Sequence, residues 1–259
     1  MSLRSRESGG PLTRVRYLCQ KYDLNPESWQ QKYAEGQVIL MDKPLQWTSF
    51  DVVKKIRIQT RISKVGHAGT LDPLATGLLI VCTGKYTKRI NEYMAREKEY
   101  TGTFTLGAVT PTYDLESEPV DLKPWEHLTV TDIRKATEAF TGDILQVPPT
   151  HSAIKRDGKP AYLMARKGQD VVLEPRPIRI STFEITGVEG PVVTFRVVCS
   201  TGTYIRSLAF DMGRALGCGA YLSALRRTRI GEFSVDDALS VQTFVDRITE
   251  EKEVANGHE

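Results

Sequence analysis

Residues 77–84, GLLIVCTG, form a short apolar run closed at each end by glycine. So brief and uninterrupted a run predicts a central β-strand, around which the other elements must be arranged. QVILMDKP (37–44) predicts a second buried strand ending at Pro44. In Tyr100 to Leu106 the alternation is regular, with Tyr100, Gly102, Phe104 and Leu106 on one face and three threonines on the other, which predicts a half-buried strand. Two more strands are expected at Ile178 to Ile185 and Val192 to Cys199, joined by a turn over Gly187 to Pro191. Helical periodicity appears where Ser49 can cap a segment carrying Val52, Val53 and Ile56, and where Thr131 opens one carrying Ile133, Ala136, Thr137 and Phe140. A third helix, 203–216, puts Ile205, Leu208, Ala209, Met212 and Leu216 on one stripe and ends at Gly217. A short helix is expected over Pro26 to Tyr33. Strands and helices interspersed so irregularly favour an α+β fold with a mixed, largely antiparallel sheet over a strict βαβ winding.

The 259 residues, 40% of them hydrophobic, suffice for one large core. No apolar run approaches a membrane span and the N-terminus lacks a signal-peptide stretch, so a cytoplasmic protein is expected. Cys19, Cys82, Cys199 and Cys218 are scattered and read as reduced core thiols. Charge is unevenly spread: residues 232–259 carry eight acids against Arg247 and Lys252, whereas 36–231 carry a net +7. Lys54, Lys55, Arg57, Arg61 and Lys64 come without an intervening acid, and Arg226, Arg227 and Arg229 cluster later. One such run is ordinarily a solvated helix face, but several on one domain suggest a polyanionic partner.

Several chemistries are excluded. Gly84-Lys85 lacks the spacing of a phosphate loop and has Tyr86 where Ser or Thr would hold magnesium. Gly217-Cys218-Gly219 follows a helix and lacks the third glycine of a dinucleotide fingerprint. The four histidines are not spaced for zinc, and no G-x-S-x-G occurs. What remains is a carboxylate working without metal or cofactor. The twelve residues GHAGTLDPLATG (66–77) hold one acid, Asp72, among small neighbours. Read alone they favour a structural cap, with Pro73 in the first turn and Gly77 closing it in the left-handed conformation. Arg206, in the first turn of its predicted helix, is a cation where the helix dipole disfavours one, and it calls for a carboxylate or lies along the surface.

GHAGTLDPLATG is followed by KEY (98–100), S-A-x-K-x-x-G (152–158), CSTGTYIR (199–206), GCGAYL (217–222) and LRR (225–227). Together these six ordered motifs resemble the TruB-type tRNA pseudouridine synthases from about Gln37 to Leu239. The resemblance makes Asp72 the catalytic aspartate. It implies a pseudouridine-synthase-type sheet with flanking helices, a central RNA-binding cleft, and isomerisation of the uridine at position 55 of the tRNA T-loop. The target base must leave its stack to be reached. By the match His67 would wedge into the vacated space, Asp72 would attack either the uracil ring or ribose C1′, and Arg206 would hold Asp72 ionised and oriented. Tyr100 would stack on the flipped base and take part in proton transfer at C5, Leu225 would line the pocket, and Lys88 would meet phosphate. No metal and no organic cofactor are implied.

The chain departs from the family pattern where Thr110-Pro111-Thr112-Tyr113-Asp114 lacks the first acid of T-D-T-x-D, and where Ala68 replaces a threonine. The expected organisation is an N-terminal arm (1–36), a catalytic domain (37–240) and a short acidic C-terminal tail (241–259) without a PUA domain. Contact is then confined to the T-arm, for which the basic arm (Arg4, Arg6, Arg14, Arg16) could serve as a substitute clamp, and a monomer is expected.

Overall fold

The computed structural model describes residues 29–256 apart from 153–154, 157–158, 161–163 and 165–172, so the part of the arm before residue 29, with Cys19 and its four arginines, lies outside the described residues. Helix α1 (Trp29–Glu35) leads into β1 (Val38–Lys43), α2 (Ser49–Thr60), β2 (Val65–His67) and β3 (Ala75–Thr83). A 3-10 turn (Gly84–Arg89) and α3 (Ile90–Met94) precede β4 (Lys98–Leu106), α4 (Val130–Ala136) and β5 (Gly142–Gln146). Then come β6 (Lys155–Arg156), β7 (Lys159–Pro160), β8 (Arg176–Glu189), β9 (Val192–Cys199), α5 (Ile205–Ala215), β10 (Ala220–Ile230), β11 (Phe233–Ser234) and α6 (Val241–Asn256). The main sheet runs β1-β3-β10-β4-β9-β8-β5, with β2 beside β3 and β11 beside β10, while β6 and β7 pair separately. Among the named strands of the described residues only the β3–β10 pairing is parallel, so the sheet is mixed and largely antiparallel.

Strand register places the helices. Gly77, Arg227 and Tyr100 are cross-strand partners, as are Ala75, Leu225 and Gly102. Because side chains alternate along a strand, Leu79 and Val81 share this face with Tyr100 and Phe104. Two cores therefore stand on one face of the sheet. One packs Tyr100, Phe104, Phe195 and Val197 under Ile205, Leu208 and Met212 of α5. The other packs Leu79 and Val81 under Val52, Val53 and Ile56 of α2 and Phe244 and Ile248 of α6. The row Gly77–Arg227–Tyr100 lies between them. The opposite face is covered separately, with Leu78, Ile80 and Cys82 against Tyr93, Ile230 and Val235.

Several expectations shift by a residue or two for identifiable reasons. Thr48, not Ser49, caps α2, its hydroxyl accepting from Asp51 N while the Asp51 carboxylate accepts from Thr48 N. Thr129 and Asp132 form the same box ahead of α4, so Thr131 is interior. Gly77 is a strand residue at φ +102°, where a Cβ would lie 2.3 Å from the Arg227 carbonyl oxygen, so it permits close approach of β10 and closes no turn. The cations near the end do not form a free basic patch. Arg226 pairs with Asp42 at 2.8 Å, Arg229 with Glu97 at 3.4 Å, and Arg227 is buried. The acidic C-terminal residues are largely helical. In α6, Phe244, Ile248 and Val254 are buried, and Glu251 accepts from Lys32 and the Tyr33 hydroxyl at 3.0 Å each.

Candidate active site

Residues 68–74 fold back along β3. Ala68 N donates to the Ile80 carbonyl at 2.9 Å, and Ala75 N closes a turn onto the Asp72 carbonyl at 3.0 Å. No helix follows Asp72, and among the described residues no backbone amide donates to its carboxylate, so the capping role that the isolated stretch favours is not what the acid does. Its loop is held from outside instead. The buried Ser49 hydroxyl donates to the Leu71 carbonyl (3.1 Å) and accepts from Leu71 N (2.9 Å), while Gln46 N donates to the Pro73 carbonyl at 2.8 Å. Lys43 is fully buried and donates to the carbonyls of Pro44 (3.0 Å), Trp47 (2.5 Å) and Pro73 (3.4 Å). Burial pulls its pKa down to about 8, partly opposed by the nearby Asp72 charge.

Arg206, in the first turn of α5, meets the loop from the other core. Its Nε lies 3.0 Å from Asp72 Oδ2 and 3.6 Å from Asp114 Oδ2, and Nη1 and Nη2 donate to the carbonyls of Thr112 (3.3 Å) and His151 (3.0 Å). The side chains of Arg206 and Asp114 are 7% and 6% exposed, whereas that of Asp72 is 39% exposed. Two carboxylates therefore neutralise a cation placed against the helix dipole, and only one of them opens to solvent. The start of α5 is fixed by Gln146, whose amide donates to the Tyr204 carbonyl (3.0 Å) and accepts from Tyr204 N (2.8 Å), and by Ser207, which donates to the Val147 carbonyl at 2.8 Å.

Between the helices, Tyr100 is 8% exposed, and burial raises its pKa against the opposing pull of Arg227. Arg227 donates to the carbonyls of Leu78 (2.7 Å) and Gly69 (3.1 Å), tying the Asp72 loop to β3 and β10. Leu225 is half-buried one row away, opposite Ala75. The fold thus brings Asp72, Arg206, Tyr100 and Leu225 close to one another between the two cores. His67 ends β2, five residues from Asp72 and so at most about 17 Å away. Burial and then Arg227 lower its pKa, favouring a neutral ring. Lys88 is exposed on the 3-10 turn that follows β3 and packs against β2, adjoining the Val65 end of that strand. Sequence reading missed Asp114, Ser49, Lys43, Arg227 and Gln146 as parts of the site. Asp114 stands in the T-P-T-Y-D segment, and its only signal was a place in that motif. Among the described residues no three His, Cys, Asp or Glu side chains converge as metal ligands, and no helix is long and apolar enough to cross a membrane.

Comparison with known proteins identifies the family. Residues 55–205 match the model of the TruB family pseudouridylate synthase N-terminal domain, and residues 206–256 that of the tRNA pseudouridylate synthase B C-terminal domain. The tRNA pseudouridine synthase B of Flavobacterium johnsoniae is 50% identical over 221 residues, 83% of this chain and 96% of the relative. That of Phocaeicola vulgatus is 51% identical over 218 residues, 82% and 93% of the two chains. Among solved structures, a chain of a Cbf5-Nop10-Gar1 complex aligns with a TM-score of 0.66 at 31% identity over 90% of this chain. A chain of an H/ACA RNP bound to a substrate RNA containing 2'-deoxyuridine aligns with a TM-score of 0.63 at 28% identity over 87%. This chain spans 65% and 62% of those two chains. With the two family models matched in order and relatives about 50% identical over most of both chains, the chain belongs to the TruB family of pseudouridylate synthases.

Proposed function

We propose that this protein isomerises the uridine at position 55 of the tRNA T-loop to pseudouridine, with Asp72 as nucleophile. The observation that carries the reading is the asymmetry of the ion triad: Asp72 is its one half-open member, held by a buried arginine that a buried second acid neutralises. Such an acid can stay charged and oriented while it reaches an extruded nucleotide. In the isomerisation the bond from C1′ to N1 of the base breaks, the base turns, and a bond from C1′ to C5 forms. The C5 proton leaves, and N1 ends protonated. Asp72 bonds transiently to the uracil ring or to C1′, Arg206 orients it, and Tyr100 stacks on the base and takes part in moving the C5 proton. Leu225 supplies an apolar wall, His67 fills the space the base vacates, and Lys88 meets phosphate.

The recognised portion is the T-arm stem-loop, and one copy of the chain is the working unit, since Asp72, Tyr100, Arg206 and Asp114 all belong to a single chain. A tRNA substrate places the enzyme in the cytoplasm. The test is Asp72→Asn on a T-arm stem-loop: pseudouridine formation is expected to fall by at least about 10⁴-fold with RNA binding retained. Turnover near that of the unsubstituted protein would overturn the assignment.

A further inference from the structure

Among the described residues the cations differ in how they are balanced. Arg196 of β9 and Arg226 and Arg229 of β10 are neutralised in place, by Glu99 at 2.7 Å, Asp42 at 2.8 Å and Glu97 at 3.4 Å. Residues 52–88 instead hold seven Lys and Arg against a single acid, Asp72, which is engaged by Arg206, while Arg89 just beyond them pairs with Glu92 at 3.0 Å. Lys54, Arg61, Lys64 and Lys85 are exposed, and among the described residues none of them forms a salt bridge. Lys54 lies in the field of Asp51, whose carboxylate is occupied by the Thr48 cap. Gly84 N donates to the Lys64 carbonyl at 2.8 Å, so Lys85 follows directly beside Lys64.

Along α2 the spacing of Phe50, Lys54, Arg57, Ile58 and Arg61 puts them on one stripe, opposite the buried Val52, Val53 and Ile56. Phe50 and Ile58 are 57% and 60% exposed. The Arg57 guanidinium lies 5.7 Å from the Phe50 ring centroid while donating to the Val65 carbonyl at 2.7 Å. The helix, about 18 Å long, stands on the sheet face that bears the cleft, and its first residue is bonded to the catalytic loop through Ser49 and Leu71. Its outer stripe therefore starts beside Asp72 and runs toward Lys64 and Lys85.

We infer that this stripe, continued by Arg61, Lys64 and Lys85, is a rail for the phosphodiester backbone of the tRNA stem that extends from the loop seated in the cleft. The inference rests on the proposed function for the identity of its ligand. Repeated cations without carboxylate partners are suited to phosphate neutralisation with release of counterions, and Phe50 and Ile58 offer apolar contact to ribose. An anionic lipid surface would also suit such a face. RNA is favoured because the helix is tied to the loop of Asp72 and shares the face on which the substrate is seated.

The test compares the unsubstituted protein with a Lys54→Gln, Arg61→Gln, Lys64→Gln variant. Binding is measured across a salt series to full-length tRNA, to a T-arm stem-loop and to an unpaired T-loop oligonucleotide. The Kd for tRNA is expected to rise about tenfold near 0.1 M salt, and the slope of log Kd against log salt to flatten by about 2 to 3. Binding of the unpaired oligonucleotide is expected to stay the same. An unchanged slope, or an equal loss on the unpaired oligonucleotide, overturns the rail. So does adsorption to phosphatidylserine vesicles that the substitutions abolish while tRNA binding stays intact. Thermal unfolding of the variant checks that the fold is kept. If the unsubstituted protein made no pseudouridine, the catalytic reading would fall while the salt slope still judged the rail.

Discussion

At the scale of single residues, the ion triad separates what an acid does for folding from what it does for chemistry. Asp114 and Arg206 are sealed from water, so removing the arginine strands a buried carboxylate. Arg206→Met is expected to lower unfolding free energy by about 3 to 5 kcal/mol in urea titrations. Asp72, half open to solvent, is expected to cost less than about 1 kcal/mol when changed to Asn, although it abolishes turnover. Equal losses for the two would mean that Asp72 is a structural partner and not a poised nucleophile. Asp114→Asn keeps the volume but leaves Arg206 with one carboxylate, and turnover is expected to fall about 10- to 100-fold in single-turnover assays. The need of Arg206 for an acid was legible from its place in a first helical turn. Its second acid was not, because Asp114 reaches it through a loop 92 residues distant in sequence (206 − 114).

At the scale of elements, adjacent hydroxyls in one helix start have unlike jobs. Thr48 caps α2 at the surface, and Thr48→Ala is expected to cost about 1 kcal/mol of stability with turnover unchanged. Ser49 is buried and serves both backbone groups of Leu71, one residue before Asp72. Ser49→Ala leaves those groups unpaired and is expected to cost about 1 to 3 kcal/mol. It is also expected to lower kcat about tenfold without raising KM, because the loop loses its anchor and the RNA loses no contact. A raised KM with unchanged kcat would contradict that role. The apolar period located the helix, yet both hydroxyls suit an N-cap, and only the packing against the 68–74 loop determines which one turns inward. The same holds for cations: alternation located β10, whereas the carboxylates and carbonyls that absorb Arg226, Arg227 and Arg229 come from other strands and loops.

At the scale of the whole molecule, burying charge within a two-core sheet gives a particular response to pH. Burial lowers Lys43 and Lys98 from an ordinary 10.5 to about 8 each. Between pH 8 and 10.5 the unfolded chain then binds more protons than the native one, so stability rises with pH over that window. Burial raises the Cys82 and Cys199 thiols to about 11 from 9.0, which makes the native state the greater proton binder between 9 and 11 and lowers stability there. Denaturation across pH is expected to show a gain of about 1 to 2 kcal/mol from pH 8 to 9 and a decline above about pH 10. Lys98→Met is expected to reduce the gain by about half, and a steady loss from pH 8 upward would sink the account. By itself the sequence determined the class of fold, the strands and helices with apolar periods, Cys82, Cys199 and Cys218 as core residues and the family, because periodicity and motif order are local properties of the chain. Only the tertiary structure decided that α2 and α5 stand on one face of the sheet, that Asp114 completes the triad, and which of the described cations lack a carboxylate. Those outcomes depend on strand register and on partners far apart in the chain, which no local pattern encodes.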